Sequence, residues 1–403
     1  MTTAPRVVIV GASVGGVTAA ETLRQEGFDG EIVILGDERH RPYLRPPLSK
    51  QILLGEWEPD RASMHTAAQT DELDLDLRTS CAAVGLDVAG RVVRTSLGDV
   101  PYDELIIATG SEPRRHPMLP TALTLRTMDD ALALRDGLRS ARRVGVIGVG
   151  VLGSEIASAA RKYGVDTLLV GRSASLSFGG VGTLLSSRLI QLHEDHGVEL
   201  LLSAEIVGAE SAIGATSIAF ADGRNELVDL VVSMIGATPR TGWLESSTLT
   251  IADGVICDSV GRAAPSVSAV GDVAAWKDPF TGKPARVEHQ SNAVEQAVAV
   301  ALRVVHGELG TQPAPLFWSE VHGAKIHAYG WFDPTRPLVA APGNPADSDS
   351  ADNATVLLSR DADDQVRGAV GWNASPREFR TARAAVLHEP RSHPTEIRGV
   401  IHV

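Results

Sequence analysis

The stretch RVGVIGVGVLGSE, Arg143–Glu155, decides the fold, and a second stretch of the same kind, RVVIVGASVGG, lies at Arg6–Gly16. Each reads as an apolar strand, a glycine-rich turn and the start of a helix. Such a unit presents backbone N–H groups and the positive end of a helix to a pyrophosphate, which is how dinucleotides are bound. Two copies in one chain predict a protein that holds two dinucleotides and passes electrons between them.

The segments around these two units predict an α/β protein. After each glycine-rich turn we expect a helix and then a second buried strand. Residues 244–313 add the apolar segment SVSAVGDVAAW and a helix. The last 90 residues alternate apolar and polar positions as antiparallel strands do. The predicted helices are Thr18–Gln25, Gly153–Tyr163, Asn292–Val305 and a last one that opens with a capping box at Ser375–Glu378 and runs to about His388. We also expect a turn at Gly98–Asp99 and a polar loop at Ala341–Ala354.

Composition excludes several classes of function. The chain has 403 residues and a formal net charge of −13, which argues against nucleic acid as the main partner. Its two cysteines, Cys81 and Cys257, form no CxxC pair, and the histidines show no metal-binding spacing, so we expect neither a redox-active disulfide nor a metal site. Without a long apolar run or a signal-peptide pattern, no membrane association and a cytoplasmic location are the default expectation.

The first glycine-rich turn, GASVGG, carries Gly11 and Gly16 at the first and third glycine positions of a GxGxxG pattern, and we predict that both contact a cofactor. Ser13 replaces the middle glycine and adds a hydroxyl that could donate to a phosphate. Asp37 and Glu38 follow the next strand, about 20 residues after Gly16, where a carboxylate binds the ribose hydroxyls of a dinucleotide. Asp37 is the first candidate for that role, and the alternative is a solvated loop acid.

The second turn is a complete GxGxxG, and we predict that it contacts a coenzyme through Gly148, Gly150, Val151, Leu152 and Gly153. The strand that follows ends in Gly171-Arg172-Ser173, with no acid. An acid would repel a 2′-phosphate, whereas Arg172 and Ser173 would bind one, so these residues permit NADPH. The alternative is that Arg172 is a solvated turn residue.

Three further charged residues suggest electron-transfer chemistry. Glu155 lies one turn into the second helix, on the nicotinamide side of a bound dinucleotide. A lysine near a flavin ring stabilises negative charge on the reduced ring, so an ion pair of Lys50 with Glu155 would lie at the site of hydride transfer. Asp272 ends an apolar strand and would point into the ligand crevice. The alternatives are unrelated surface charges and a plain turn. Trp318, read alone, is a core residue.

Several short motifs occur in a fixed order along the chain. They are Tyr43 with Arg45–Lys50 (RPPLSK), Ala108-Thr109-Gly110, Leu125-Arg126, Asp129–Ala131, Gly148–Glu155, Gly236–Arg240, Val270–Asp272 and Phe317–Ser319. Together they resemble the FAD-dependent ferredoxin reductases of cytochrome P450 and dioxygenase systems, and the resemblance covers nearly the whole chain.

The resemblance implies a glutathione-reductase-like FAD/NAD(P) fold with three domains. An FAD domain would comprise 1–112 and 244–313, a nicotinamide domain 113–243, and a C-terminal α+β interface domain 314–403. FAD contacts are implied at Gly11, Ser13, Asp37, Arg45, Lys50, Ala83, Arg126 and Asp272, and cofactor contacts also at Ala108, Thr109, Gly110 and Gly236. Glu288, His289 and Gln290 would lie at the flavin pyrimidine, and Trp318 beside the ring on the route to an iron–sulfur partner. Two residues depart from the family pattern: Ser13 replaces a glycine, and Gly171 replaces the glutamate that selects NADH.

The sequence therefore predicts an NAD(P)H:ferredoxin reductase, active as a monomer or weak dimer, that passes electrons through FAD to a [2Fe–2S] ferredoxin. The coenzyme is NADH by resemblance, whereas the residues at 171–173 permit NADPH. A locally basic C-terminal section, from Gln365 onward, could steer an acidic ferredoxin, or it could be ordinary solvated surface. The alternatives are a disulfide or peroxide reductase of the same fold, which would need a cysteine near the flavin, and a flavin-based redox sensor that is not an enzyme.

Overall fold

A computed structural model of the chain describes residues 4–178, 181–278, 282–307, 314–333, 335–342 and 354–386. Its first section opens with the strand, helix and strand that RVVIV and EIVIL predict. The elements of this section are β1 (Arg6–Val10), α1 (Val14–Gln25), β2 (Glu31–Leu35), α2 (Ala67–Glu72), β3 (Leu75–Arg78), β4 (Ala83–Asp87), β5 (Val92–Thr95), β6 (Gly98–Pro101), β7 (Glu104–Ile107) and β8 (Ser111–Pro113).

The middle section repeats this scheme around the second glycine-rich turn. Its elements are α3 (Met128–Ser140), β9 (Arg143–Ile147), α4 (Val151–Lys162), β10 (Asp166–Val170), α5 (Gly182–Asp195), β11 (Val198–Leu201), β12 (Ile206–Ala212), β13 (Ala215–Phe220), β14 (Asn225–Val228), β15 (Leu230–Ser233) and β16 (Ala237–Pro239). Strands β11-β10-β9-β15 form a parallel sheet in that order, and β12-β13-β14 form an antiparallel sheet. The sequence analysis missed α3, α5 and the antiparallel sheet.

The chain then returns to the first sheet. The elements are β17 (Ile251–Ala252), β18 (Gly254–Ile256), β19 (Arg262–Ala264), β20 (Val267–Ala269), β21 (Ala274–Lys277), β22 (Pro284–Ala285) and α6 (Gln290–His306). Strand β20 lies parallel to β7 and completes the six-stranded order β19-β20-β7-β1-β2-β3. Strand β1 is therefore central and buried on both faces, with Val7–Val10 at most 3% exposed. The first sheet thus takes strands from either side of the middle section, which is consistent with the split domain that the resemblance implies.

The C-terminal section is an antiparallel sheet with one helix. Its elements are β23 (Leu316–Val321), β24 (Ala324–Gly330), β25 (Val339–Ala340), β26 (Thr355–Arg360), β27 (Val366–Trp372) and α7 (Pro376–Ala385), and the strand order is β23-β24-β27-β26-β25. A capping box starts α7: Glu378 N donates to the Ser375 hydroxyl, and the Glu378 carboxylate accepts from Ser375 N. Both the predicted loop at Ala341–Ala354, apart from its first and last residues, and the predicted helix end at His388 lie outside the described residues.

Two kinds of boundary were predicted wrongly. Three helices begin earlier than predicted, because the first helical turn of each follows the glycine-rich turn or the cap directly. Helices α1, α4 and α6 begin at Val14, Val151 and Gln290, and not at Thr18, Gly153 and Asn292. Gly98–Asp99 is not the hairpin turn, because Thr95 pairs with Gly98 and Arg94 with Asp99 in the β5–β6 ladder.

Candidate functional site

One cleft of about 1520 Å³ is lined by residues from all three sections of the fold. Gly11 follows the end of β1 and Gly148 follows the end of β9, so the cleft runs past the carboxyl ends of both parallel sheets, where α/β folds bind ligands. The predicted site residues that line it are Gly11, Ser13, Asp37, Arg45, Lys50, Ala83, Ala108, Thr109, Gly110, Arg126, Gly148, Gly150, Val151, Leu152, Glu155, Gly171, Arg172, Gly236, Asp272, Glu288, His289, Gln290 and Trp318.

The first glycine of each turn is required by its backbone. Gly11 has φ +123° and Gly148 has φ +118°, a region that residues with a Cβ rarely adopt. A Cβ on Gly11 would lie 2.1 Å from the carbonyl oxygen of Ala108, and one on Gly148 would lie 2.1 Å from that of Met234. Both turns therefore pass against a neighbouring strand end so closely that only glycine fits.

Gly16 and Gly153 do not line the cleft, and their contact with a cofactor stays a prediction. A Cβ on Gly16 would lie 1.9 Å from the carbonyl oxygen of Gly11, and one on Gly153 would lie 1.9 Å from that of Gly148. These third glycines lie behind the turn and allow the helix to pack closely on its own strand.

Lys50 and Glu155 form an ion pair in the cleft, with Lys50 Nζ 2.8 Å from Glu155 Oε1. The Glu155 side chain is 3% exposed and also accepts hydrogen bonds from Ser49 Oγ at 2.5 Å and Ser319 Oγ at 2.6 Å. Burying a carboxylate is costly unless it is paired and hydrogen-bonded, and these three donors compensate for that cost. Because Ser49, Glu155 and Ser319 belong to the first, middle and C-terminal sections, one carboxylate joins all three.

Aromatic side chains lie close to this cluster. Phe317 and Ser319 are buried, whereas Trp318 between them points the other way and is 39% exposed, so its interpretation as a core residue is wrong. His289 stacks on Phe317 with ring centroids 5.6 Å apart, and burial lowers the pKa of His289. His289 is the N-cap residue of α6, which places the predicted segment Glu288–Gln290 at the start of that helix.

Paired arginines line the first sheet's side of the cleft. Arg45 donates to Glu38 at 2.8 Å, to the backbone carbonyl of Arg126, and to the Ser13 hydroxyl at 3.2 Å. Arg126 in turn donates to Asp272 at 2.9 Å. Burial lowers the pKa of Arg126, and the charge of Asp272 opposes that change. Carboxylates therefore fix both arginines on the side of the cleft that carries the first glycine-rich turn.

The far end of this side is closed by Asp37, whose carboxylate lies 2.6 Å from the guanidinium of Arg240. Trp243 also lines the cleft, in a short helical turn that packs against β4, the strand that begins at Ala83. Cys81 belongs to this end as well, because its backbone N–H donates to Gly36 at 2.7 Å, and its side chain is 2% exposed. No cysteine therefore accompanies the Lys50–Glu155 pair in the described part of the cleft.

The middle section's side of the cleft carries fewer charges. Leu152 is 41% exposed at its rim, and Arg172 is exposed just after β10. Throughout the described ranges, neither a helix long and apolar enough to cross a membrane nor a group of three metal-ligating side chains occurs.

Comparison with known proteins assigns the chain to a family. The sequence profile described as pyridine nucleotide-disulphide oxidoreductase matches residues 5–297. The chain belongs to this family. It is thereby an NAD(P)H-dependent flavoprotein oxidoreductase with FAD as its cofactor, as the sequence predicted.

Similar proteins also confirm the predicted resemblance to ferredoxin reductases. The chain is 31% identical to the ferredoxin–NAD(+) reductase subunit of the benzene 1,2-dioxygenase system of Pseudomonas putida, over 96% of this chain and 94% of that one. It is 32% identical to rhodocoxin reductase of Rhodococcus erythropolis, over 80% and 78%. Putidaredoxin reductase in its covalent complex with putidaredoxin matches with a TM-score of 0.87 and 25% identity, over 95% and 93%.

The residues of the cleft fit FAD and a coenzyme. Three residues that line it each carry a buried polar atom with no hydrogen-bond partner within the described residues: Nδ1 of His289, Nε1 of Trp243 and Oγ of Ser233. Buried polar atoms normally have partners, so these atoms suit a polar ligand. His289 and Trp243 lie on the side of the first glycine-rich turn, and Ser233 ends β15 on the side of the second. Both regions therefore offer donors as well as a glycine cradle.

Sequence reasoning missed several residues of this site. Ser319 and Arg240 each end a quoted motif but were given no role, and Arg286 carried no local signal. Arg286 is 9% exposed in its side chain and donates to the Asp272 carbonyl at 2.9 Å and to Glu288 at 2.6 Å. Glu38, second to Asp37 in the sequence analysis, is the acid that pairs with Arg45.

Proposed function

We propose that the protein transfers electrons from a reduced nicotinamide coenzyme, through FAD, to a [2Fe–2S] ferredoxin that serves a cytochrome P450 or a Rieske oxygenase. We further propose the domain limits given above and action as a monomer or weak dimer. The observation that carries this proposal is the Lys50–Glu155 pair, which lies in one cleft with both glycine-rich turns. The names of its relatives support a ferredoxin as electron acceptor.

FAD, when bound, accepts a hydride and releases the electrons one at a time. The chain's task is to align the two dinucleotides and adjust the charge around them. Lys50 Nζ is held by Glu155, and Glu155 is held by Ser49 and Ser319, so the ammonium group has a fixed position. A positive charge fixed beside the reacting ring favours the reduced, negatively charged state. No residue of the chain has to act as a nucleophile.

The exposed Trp318 marks the face where we propose that the ferredoxin docks. Trp318 pairs across the ladder with His327, and His327 contacts Phe379 of α7 with ring centroids 5.3 Å apart. Helix α7 therefore borders Trp318, and it exposes Arg377, Arg380 and Arg383. These cations suit an acidic ferredoxin, which they would attract before contact.

A ferredoxin-reduction assay tests this function. The FAD-loaded protein is mixed with NADH and a [2Fe–2S] ferredoxin, and reduction of cytochrome c by that ferredoxin is followed. We expect turnover that depends on both protein and ferredoxin. Turnover only with disulfide or peroxide substrates would favour the reductase alternative. Flavin that is reduced but never passes electrons on, whatever ferredoxin is offered, would favour a redox sensor.

The docking face is tested by charge removal. The double change Arg377→Ala and Arg380→Ala is expected to lower ferredoxin reduction several-fold at low salt, because steering raises association rates. Ferricyanide reduction, which needs no docking, should stay unchanged. Arg224→Ala, at an exposed turn of the middle section, is the matched control. Equal loss in both variants, or no loss at any salt concentration, would contradict docking at α7.

A further inference from the structure

The backbone at the end of β10 has no room for a side chain. Gly171 N donates to the Leu201 carbonyl at 2.9 Å, and the Gly171 carbonyl accepts from Ala204 N at 2.9 Å, so its position is fixed on both sides. A Cβ at Gly171 would lie 2.7 Å from both γ carbons of Val149 and 3.2 Å from Cδ2 of Leu202. Val149 is itself a residue of the second glycine-rich turn and is 6% exposed. An acid cannot occupy position 171 while Val149 keeps this position.

The segment that follows is held beside the glycine-rich turn. Ser177 N donates to the Val149 carbonyl at 2.9 Å, which ties the loop back to the turn. Ser173 Oγ donates to the Ser175 carbonyl at 2.6 Å, which curls the loop after Arg172. Phe178, at the end of the loop, is fully buried and packs edge-on against Phe317. Arg172 is therefore fixed at its backbone while its side chain stays exposed in the cleft.

Arg172 is the charged residue of the loop that follows β10. The other described residues of this loop that line the cleft are Gly171, Ser173 and Ser177, and none of them is acidic. Within the described part of the chain no carboxylate forms an ion pair with Arg172. A guanidinium group with no acid beside it suits a phosphate, because it can donate two parallel hydrogen bonds.

A dinucleotide bound at a glycine-rich turn places its adenosine ribose at the end of the next strand. For the middle section that strand is β10, and its end is Gly171-Arg172-Ser173. From this placement we infer that the coenzyme site is built for a ribose that carries a 2′-phosphate, held by Arg172, so that NADPH is used at least as well as NADH. This inference rests on the proposed function, because it needs a reduced nicotinamide at Gly148–Gly153. It separates the chain from its relatives named as NAD(+) reductases.

The inference is tested by coenzyme kinetics on the FAD-loaded protein. We expect kcat/KM for NADPH to equal or exceed that for NADH. Arg172→Ala should lower kcat/KM for NADPH about tenfold or more, mainly through KM, because hydrogen bonds to charged groups are lost. The same substitution should change kcat/KM for NADH by less than about twofold, since NADH has no 2′-phosphate for Arg172 to bind. Arg142→Ala, whose side chain is 93% exposed on the same section, is the matched control.

Binding without reaction gives an independent readout. Adenosine 2′,5′-bisphosphate should bind to the protein in calorimetry, and Arg172→Ala should weaken that binding by the same factor as it raises KM for NADPH. The double change Val149→Ala with Gly171→Glu makes room for an acid and should reverse the preference toward NADH. A wild-type preference for NADH of more than tenfold, or equal losses for both coenzymes in Arg172→Ala, would overturn the inference. If NADH also failed to reduce the flavin, the proposed function itself would fail.

Discussion

The two glycine-rich turns have nearly the same backbone but different surroundings. Gly11 and Gly148 differ by only 5° in φ, +123° against +118°, and each would place a Cβ 2.1 Å from a carbonyl oxygen of a neighbouring strand end. The two turns therefore offer a pyrophosphate nearly the same backbone binding site. What distinguishes the two sites must lie in the side chains around them.

Those side chains differ in how completely their charges are paired. Around the first turn, Arg45 pairs with Glu38, Arg126 with Asp272 and Arg286 with Glu288. Around the second, Arg172 and Leu152 are exposed at the rim. A wall of mutually paired, partly buried groups is preorganised to hold one ligand permanently. An open rim suits a coenzyme that binds, reacts and leaves, and the predictions below test this difference.

The largest expected effect comes from adding a methyl group to either first glycine. Gly11→Ala should abolish FAD retention, whereas Gly148→Ala should keep FAD and slow its reduction by coenzyme by about 100-fold or more, because strain and a backbone clash disturb each cradle separately. FAD content by absorbance and stopped-flow reduction measure the two outcomes. Gly214→Ala is the control, because Gly214 also has a positive φ but no neighbours within 4 Å. Equal loss of FAD in both variants would show that the two sites are not separate.

The next effect concerns the point where the two sites meet. Lys50→Ala should slow flavin reduction about 10- to 100-fold, because a positioned charge at the reacting ring is lost. Coenzyme binding should weaken less than about threefold, since the rest of the rim is intact. Rapid-reaction kinetics over a range of coenzyme concentrations separate the two quantities. Lys325→Ala, an exposed lysine of β24, is the control. An unchanged reduction rate would remove Lys50 from the site.

A smaller effect is expected from acid, which should first weaken the packing of the middle section against the C-terminal section. His193 of α5 lies 3.0 Å from His322 of the β23–β24 turn, and His196 stacks on His322. Burial lowers the pKa of His193 to about 4; burial and the nearby charges of His193, His196, Lys162 and Arg161 lower that of His322 to about 3. In the unfolded chain these two histidines bind protons near pH 6.5, whereas in the folded chain they do not. The free energy of unfolding therefore falls as the pH drops below about 6.5, and it continues to fall until the pH reaches the pKa values of the folded chain.

For His193 alone, the free energy of unfolding is expected to fall by roughly 2 kcal/mol between pH 8 and pH 5. Urea unfolding at the two pH values measures it. His193→Gln should reduce the pH dependence, whereas His306→Gln, at an exposed histidine paired with Glu26, should leave it intact. Unfolding free energies that rise on acidification would contradict this account of the histidine cluster.

The smallest effect is expected at the adenosine end of the first site. Arg240→Ala should weaken FAD retention only a few-fold, because the Asp37–Arg240 pair is about 40% exposed and such pairs contribute about 1 kcal/mol or less. FAD dissociation rates after dilution measure this. Loss of FAD as complete as in Gly11→Ala would mean that this rim pair, and not the buried wall, holds the cofactor.

The sequence predicted those parts of the site that have local patterns or a shared motif. Both glycine-rich turns and strands β1, β2, β9 and β10 follow from short runs of residues. The Lys50–Glu155 contact was predicted as well, from charge chemistry and the resemblance, and the structure places the two atoms 2.8 Å apart. Whether these residues act in hydride transfer stays a prediction.

The pairings and residue orientations that the sequence analysis missed share a physical cause. Ser319 is 164 positions from Glu155, and Arg126 is 146 positions from Asp272, so the pairing depends on how the sections fold together. Gly16 and Gly153 share a motif with residues that line the cleft, but they pack against the carbonyls of Gly11 and Gly148 instead. A one-dimensional pattern carries neither the long-range pairing nor the direction in which a residue faces.

The most direct measurement follows FAD and coenzyme through one purification and one titration. The account predicts about one FAD per chain retained through gel filtration with no nicotinamide bound, and anaerobic bleaching of that flavin by about one equivalent of reduced coenzyme. A colourless, folded protein that takes up no FAD, or a bound flavin that no reduced nicotinamide bleaches, would contradict it.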